Sequence, residues 1–129
     1  MKQERFFHWK WLMFRSHNKL RTHPLIYSFT ENDLEALWNR QNGLCALTDR
    51  PLSKIGDTAQ LDHIIPLARG GTNELDNLRW VTSMANYVKH SLLDEELLLL
   101  AQDLIQKAKH PVLPPAREVD IKQTNSLGI

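Results

Sequence analysis

The sequence predicts a small α+β domain, and three observations carry that reading. A capped helical segment occupies residues 31–41. The stretch 44–90 alternates short β-rich runs with Gly, Pro and Asp turns. A leucine-patterned helix follows over 92–109. At 129 residues the chain has room for one domain and a tail.

The elements follow in order. Residues 1–28 form a basic, aromatic N-terminal arm with a short helix around 7–19, closed by His23-Pro24, where proline favours an extended exit. Residues 1–23 carry six Lys and Arg against Glu4 alone, +5 within a chain whose net charge is +1. That asymmetry suits an arm for a polyanion, and it suits a solvated helix face equally well. The Phe, Trp, Lys and Arg mixture can stack bases and neutralise phosphates, or pack onto the domain through its rings.

Thr30-Glu-Asn-Asp33 reads as an N-cap with an acid three residues on, and Phe29 can staple onto Leu34. Leu34, Leu37 and Trp38 recur at helical spacing, and Gly43 supplies a stop. Residues 44–47 and 59–65 have strand character. Residues 66–77 form a loop containing Gly70-Gly71, 78–81 a second strand, and 83–90 a helix. Ser91-Leu-Leu-Asp94 opens the last helix as a capping box, and Leu93, Leu97, Leu100 and Leu104 are expected to pack along one face. Trp38 and Trp80 are expected in the core. The segment 111–129, with Pro114-Pro115 and a polar close, reads as a disordered tail.

Several classes are excluded. No apolar run is long enough for a transmembrane span. The N-terminus is a poor secretory signal, because its rings are interrupted by His8 and Lys10. Cys45 is the single cysteine, which rules out an intramolecular disulfide framework and makes a cytoplasmic setting the default.

The chemistry concentrates in residues 61–80 and 86–89. Hydrolysing a phosphodiester requires a base for water near neutral pH, a role that suits imidazole. It also requires a divalent cation to neutralise the scissile phosphate and leaving oxygen, and hard oxygen donors suit Mg²⁺. Asp62, His63 and Asn86 can supply carboxylate, base and amide oxygen. In a regular strand, however, Asp62 and His63 point to opposite faces. The strand must break there, or the metal must sit at its end.

Asp-His-Ile-Ile-Pro at 62–66, Gly70-Gly71, Asn77 within Asp-Asn-Leu, and Asn86 followed by Lys89 together resemble the HNH endonuclease family. The likeness is firm over 41–92. Asparagine at the third motif position makes this an HNN variant. The resemblance implies a ββα-metal core at 44–90, inside a nuclease domain at 29–110 with flanking helices, and an endonuclease that cuts DNA using Mg²⁺, Mn²⁺ or another divalent cation. It implies His63 as general base, Asp62 and Asn86 as metal ligands, Asn77 as a loop-shaping residue and Lys89 as a phosphate contact. His90, at the helical i+4 position from Asn86, is a further candidate metal ligand. The products would carry 5′-phosphate and 3′-hydroxyl ends.

Many relatives stabilise this motif with a zinc knuckle of paired Cys-x-x-Cys. Here the corresponding positions read Cys45-Ala-Leu-Thr48 and Thr82-Ser-Met-Ala85. One thiol cannot build a four-cysteine site, so no structural zinc is expected and Cys45 should be a buried small hydrophobe. Stand-alone HNH proteins occur in phages, mobile elements and restriction systems. The competing readings are a DNA-binding module without turnover and a protein-interaction adaptor using the leucine-rich helix.

Overall fold

The structure, a computed structural model, describes residues 5–18 and 28–110. Within them run α1 (Phe6–Asn18), α2 (Glu31–Arg40), β1 (Ala59–His63), β2 (Leu78–Thr82), α3 (Ser83–Lys89) and α4 (Asp94–Lys109). Two 3-10 turns lie at Leu67–Arg69 and Leu75–Asn77. The strands form an antiparallel pair in the register Ala59↔Thr82 through His63↔Leu78, and α3 leaves β2 directly. The order β1, β2, α3 is the ββα arrangement expected, in an α+β fold. No helix among the described residues is long and apolar enough to cross a membrane. The expected tail at 111–129 and the His23-Pro24 exit lie outside the described residues.

Local chemistry sets α2. The Thr30 backbone N–H donates to the Asp33 carboxylate at 2.8 Å, closing the acid half of the capping box. Phe29 and Leu34, one on each side of the cap, are both buried. Trp38 follows one turn on, and the Trp80 indole N–H donates to the Leu34 carbonyl at 2.9 Å, fastening β2 to α2. Gln41 behaves like a short piece of strand. Its amide oxygen accepts from Trp80 N–H, and its amide nitrogen donates to the Trp80 and Leu44 carbonyls, each at 2.9 Å.

The rings of the N-terminal segment go inward. Phe6 and Phe14 are buried in the same core as Trp38, Trp80 and Leu78, with Phe7 and Trp11 packed against it. Phe6 lies edge-on to Trp38 at 5.3 Å between ring centres, a favoured aromatic geometry. The cations of α1 lie over rings as well: Arg15 over Trp11 and Lys10 over Phe6. Phe6, Phe7, Trp11 and Phe14 thus share one core with Trp38 and Trp80.

Three expectations are corrected. Residues 44–47 are not a strand: Leu44 makes one isolated bridge to Pro51, and the chain then turns, with Asp49 at φ 60°. The β-like composition there serves a tight loop. Its Cys45 and Ala46 N–H groups donate to the Arg50 and Trp80 carbonyls. The last helix starts at Asp94 rather than beside Ser91, because Glu96 accepts from the Leu93 N–H and caps that turn. No residue of α4 is buried, and Leu100 and Leu104 are 46% and 63% exposed. Leucine spacing there reports the helical period and not burial.

Candidate active site

β1 stays regular through His63, so its side chains alternate. Gln60 and Asp62 take the face covered by α3. There the Asn86 amide donates to Gln60 Oε1 at 2.7 Å, and Lys89 reaches Asp62. A two-residue step on the strand thus matches a three-residue step on the helix. Leu61 and His63 take the opposite face. Leu61 packs on the core and the His63 ring stacks on Phe14 of α1, 5.8 Å between centres at 27°. The strand does not break between Asp62 and His63, and their side chains are not brought together.

Asp62 is 4% exposed and lies between two cations. Arg79, its partner across the sheet, donates Nε to Oδ2 at 2.9 Å, and Lys89 Nζ donates to Oδ1 at 3.1 Å. The Arg79 terminal nitrogens hold Asp94 at 2.7 and 2.6 Å. Burial alone would lower the Arg79 pKa. The bonds and charges of Asp94 and Asp62 outweigh it and hold the group above its ordinary value. The Arg79 bond in turn holds the Asp94 carboxyl below its ordinary value, against the opposing effect of burial.

Lys89 is 0% exposed, and its ammonium also donates to the His63 and Ile64 carbonyls at 2.8 and 3.3 Å. Its three donors are all used inside the protein. Lys89 is here a buried counter-ion that ties α3 to the end of β1, so the phosphate contact expected of it would require these bonds to open.

Past β1 the chain is held by Asn77, which is buried. Its amide oxygen accepts from Ile65 N–H at 2.9 Å. Its amide nitrogen donates to the Ile65 and Thr72 carbonyls at 3.0 and 2.8 Å. Gly70 turns at φ 92°. Gly71 packs so closely that a Cβ there would overlap the Ile65 carbonyl. The loop carried by these contacts presents Asn73, whose Oδ1 lies 2.7 Å from Nε2 of His63.

A cleft of about 1120 Å³ opens beside this loop. α1 contributes Lys10, Met13, Phe14 and His17 to its walls, β1 contributes Asp62 and His63, and α3 contributes Met84, Asn86 and Tyr87, with His90 beyond. His90 ends α3 at φ 48° and ψ −120°, its N–H donating to the Asn86 carbonyl at 3.0 Å and its Nδ1 3.2 Å from Ser91 Oγ. It lines the same cleft as Asn86.

The donor set fits a divalent cation only in part. Asn86 Oδ1 and His90 Nε2 accept no hydrogen bond among the described residues, and two protein ligands plus water suffice for Mg²⁺. Asp62 does not fit, because a metal on either oxygen would meet Arg79 or Lys89. Among the described residues, no group of three His, Cys, Asp or Glu converges. Cys45 is fully buried and its sulfur accepts from Thr82 N–H at 3.3 Å. Burial pushes this thiol up, but bonds to Thr48 and to the Thr82, Leu47 and Thr48 backbone leave it below its ordinary value.

The strands and α3 form the ββα arrangement. Residues 45–83 match the family model described as HNH endonuclease. The match takes in Asp62, His63 and Asn77 and stops before Asn86, Lys89 and His90. No curated protein matches the chain.

Sequence reasoning missed Asn73, Arg79 and Phe14. Arg79 faces Asp62 only because the two strands pair in one register, and Phe14 reaches His63 only by tertiary packing. Asn73 had a signal in its place directly after Gly70-Gly71-Thr72.

Proposed function

We propose that this protein is an endonuclease that hydrolyses DNA phosphodiester bonds in the cleft between α1 and α3, with His63 as the base that deprotonates the attacking water. The observation that carries this reading is His63 itself. Its ring is fixed on two sides, by Phe14 and Asn73, yet it lines an open cleft within the segment that matches the HNH endonucleases. A positioned base contributes roughly 10²–10⁴-fold to such a reaction. Asn77 acts at one remove, by shaping the loop that keeps His63 in place.

Asn86 and His90 are the residues that would hold a divalent cation, Mg²⁺ or Mn²⁺, which when bound would neutralise charge on the scissile phosphate and leaving oxygen. An amide and an imidazole, with no free carboxylate, favour Mn²⁺ over Mg²⁺. Tyr87, 81% exposed, and Met84 beside it offer rings and apolar surface to the sugar–base edge of a duplex.

The test is incubation of wild type and His63→Ala with supercoiled plasmid in Mg²⁺, Mn²⁺ or EDTA. Metal-dependent nicking or linearisation by wild type alone supports the reading, and equal cleavage by both overturns it. The occupied Asp62 favours a second reading, a DNA-binding module without turnover. Retardation of DNA without cleavage by either protein would select it.

A further inference from the structure

We propose that Asn73 is the positioning residue that selects the tautomer of His63, so that Nδ1 is the basic nitrogen of the ring. This rests on the nuclease reading for its consequence, but not for its test. An amide oxygen can only accept a hydrogen bond, so with Asn73 Oδ1 facing the ring, the nitrogen 2.7 Å away is the one assigned the proton. A neutral imidazole has one N–H. With Nε2 protonated, the lone pair is on Nδ1, which has no hydrogen-bond partner among the described residues.

The surroundings make this contact a fixed one. The Asn77 amide grips the Thr72 carbonyl, one residue before Asn73, and the Gly71 N–H donates to the Pro66 carbonyl at 3.0 Å. The loop bearing Asn73 is thus anchored close to the contact. Phe14, stacked on the ring, opposes its rotation. Asn73 and His63 are both half-buried, so water competes only partly for the bond.

The experiment is long-range ¹⁵N–¹H NMR of the His63 imidazole at alkaline pH in wild type, Asn73→Ala and Asn73→Asp, alongside plasmid nicking by each. Wild type and Asn73→Asp are expected to show the Nε2–H form, since a carboxylate accepts as the amide oxygen does. Asn73→Ala is expected to show a mixture, and to lose about 10- to 100-fold in kcat with KM unchanged. An Nδ1–H ring in wild type overturns the proposal, as does an Asn73→Ala protein with the wild-type tautomer. If wild type does not nick DNA, the nuclease reading falls and the tautomer spectrum alone decides the role of Asn73.

Discussion

Arg79 faces Asp62 directly across the two-stranded sheet, with its Nε 2.9 Å from Oδ2, while its terminal nitrogens hold Asp94 at the start of α4. One guanidinium thus joins the strand that carries His63 to the first turn of the last helix. The arrangement uses the planar fork of arginine, which a lysine cannot reproduce.

Replacing Arg79 by Met should therefore cost about 3–5 kcal/mol of stability, because it leaves the Asp62 carboxylate buried with only Lys89 for company. Urea unfolding would measure this. A cost below about 1 kcal/mol would mean that water, not Arg79, satisfies Asp62.

The Asp94 carboxyl gives stability a defined acid limb. Its folded pKa lies below the ordinary 3.8 because of Arg79, so the carboxylate contributes fully above that value. The contribution is lost as pH falls below 3.8, through the depressed folded pKa. Asp94→Asn should flatten the dependence of stability on pH in that acid window and leave it unchanged near neutrality. Thermal melts of both proteins as pH is lowered through this window would test the sign.

Removing the Asn77 side chain would free the Ile65 N–H and the Ile65 and Thr72 carbonyls together. Asn77→Ala should destabilise by about 1–3 kcal/mol. Gly71→Ala should disturb the same loop by overlap with the Ile65 carbonyl. In both variants nicking should fall further than stability explains, which kinetics under conditions where the variants remain folded would show.

Lys89→Met separates a buried counter-ion from a phosphate ligand. The expected outcome is lower stability with an unchanged slope of log K against log salt for DNA binding, since no phosphate contact is lost. A slope reduced by about one ion, with stability intact, would return Lys89 to the phosphate.

What was legible in the sequence was mostly what local chemistry decides. The Thr30–Asp33 cap and the Phe29–Leu34 staple lie within a few residues of each other, so their pattern and their geometry coincide. The HNH motif placed His63, Asn77 and Asn86 by spacing, and strand alternation already put Asp62 and His63 on opposite faces. Registers and partners were not legible. Asp62 meets Arg79 because their positions match across the hairpin, and a strand bounded at 59–65 leaves that match open. Lys89 was expected to contact phosphate, and only the packing of α3 on β1 explains its burial. Hydrophobic spacing announced α4 but could not say what, if anything, would cover Leu100 and Leu104.

Phe14 has a consequence for anyone who alters the protein at its beginning. The stacking of its ring on His63 makes α1 one wall of the pocket that holds the imidazole. Disturbing α1 would here loosen the side chain proposed as the base. On the nuclease reading turnover depends on an intact α1, and an assay of the first is a sensor of the second.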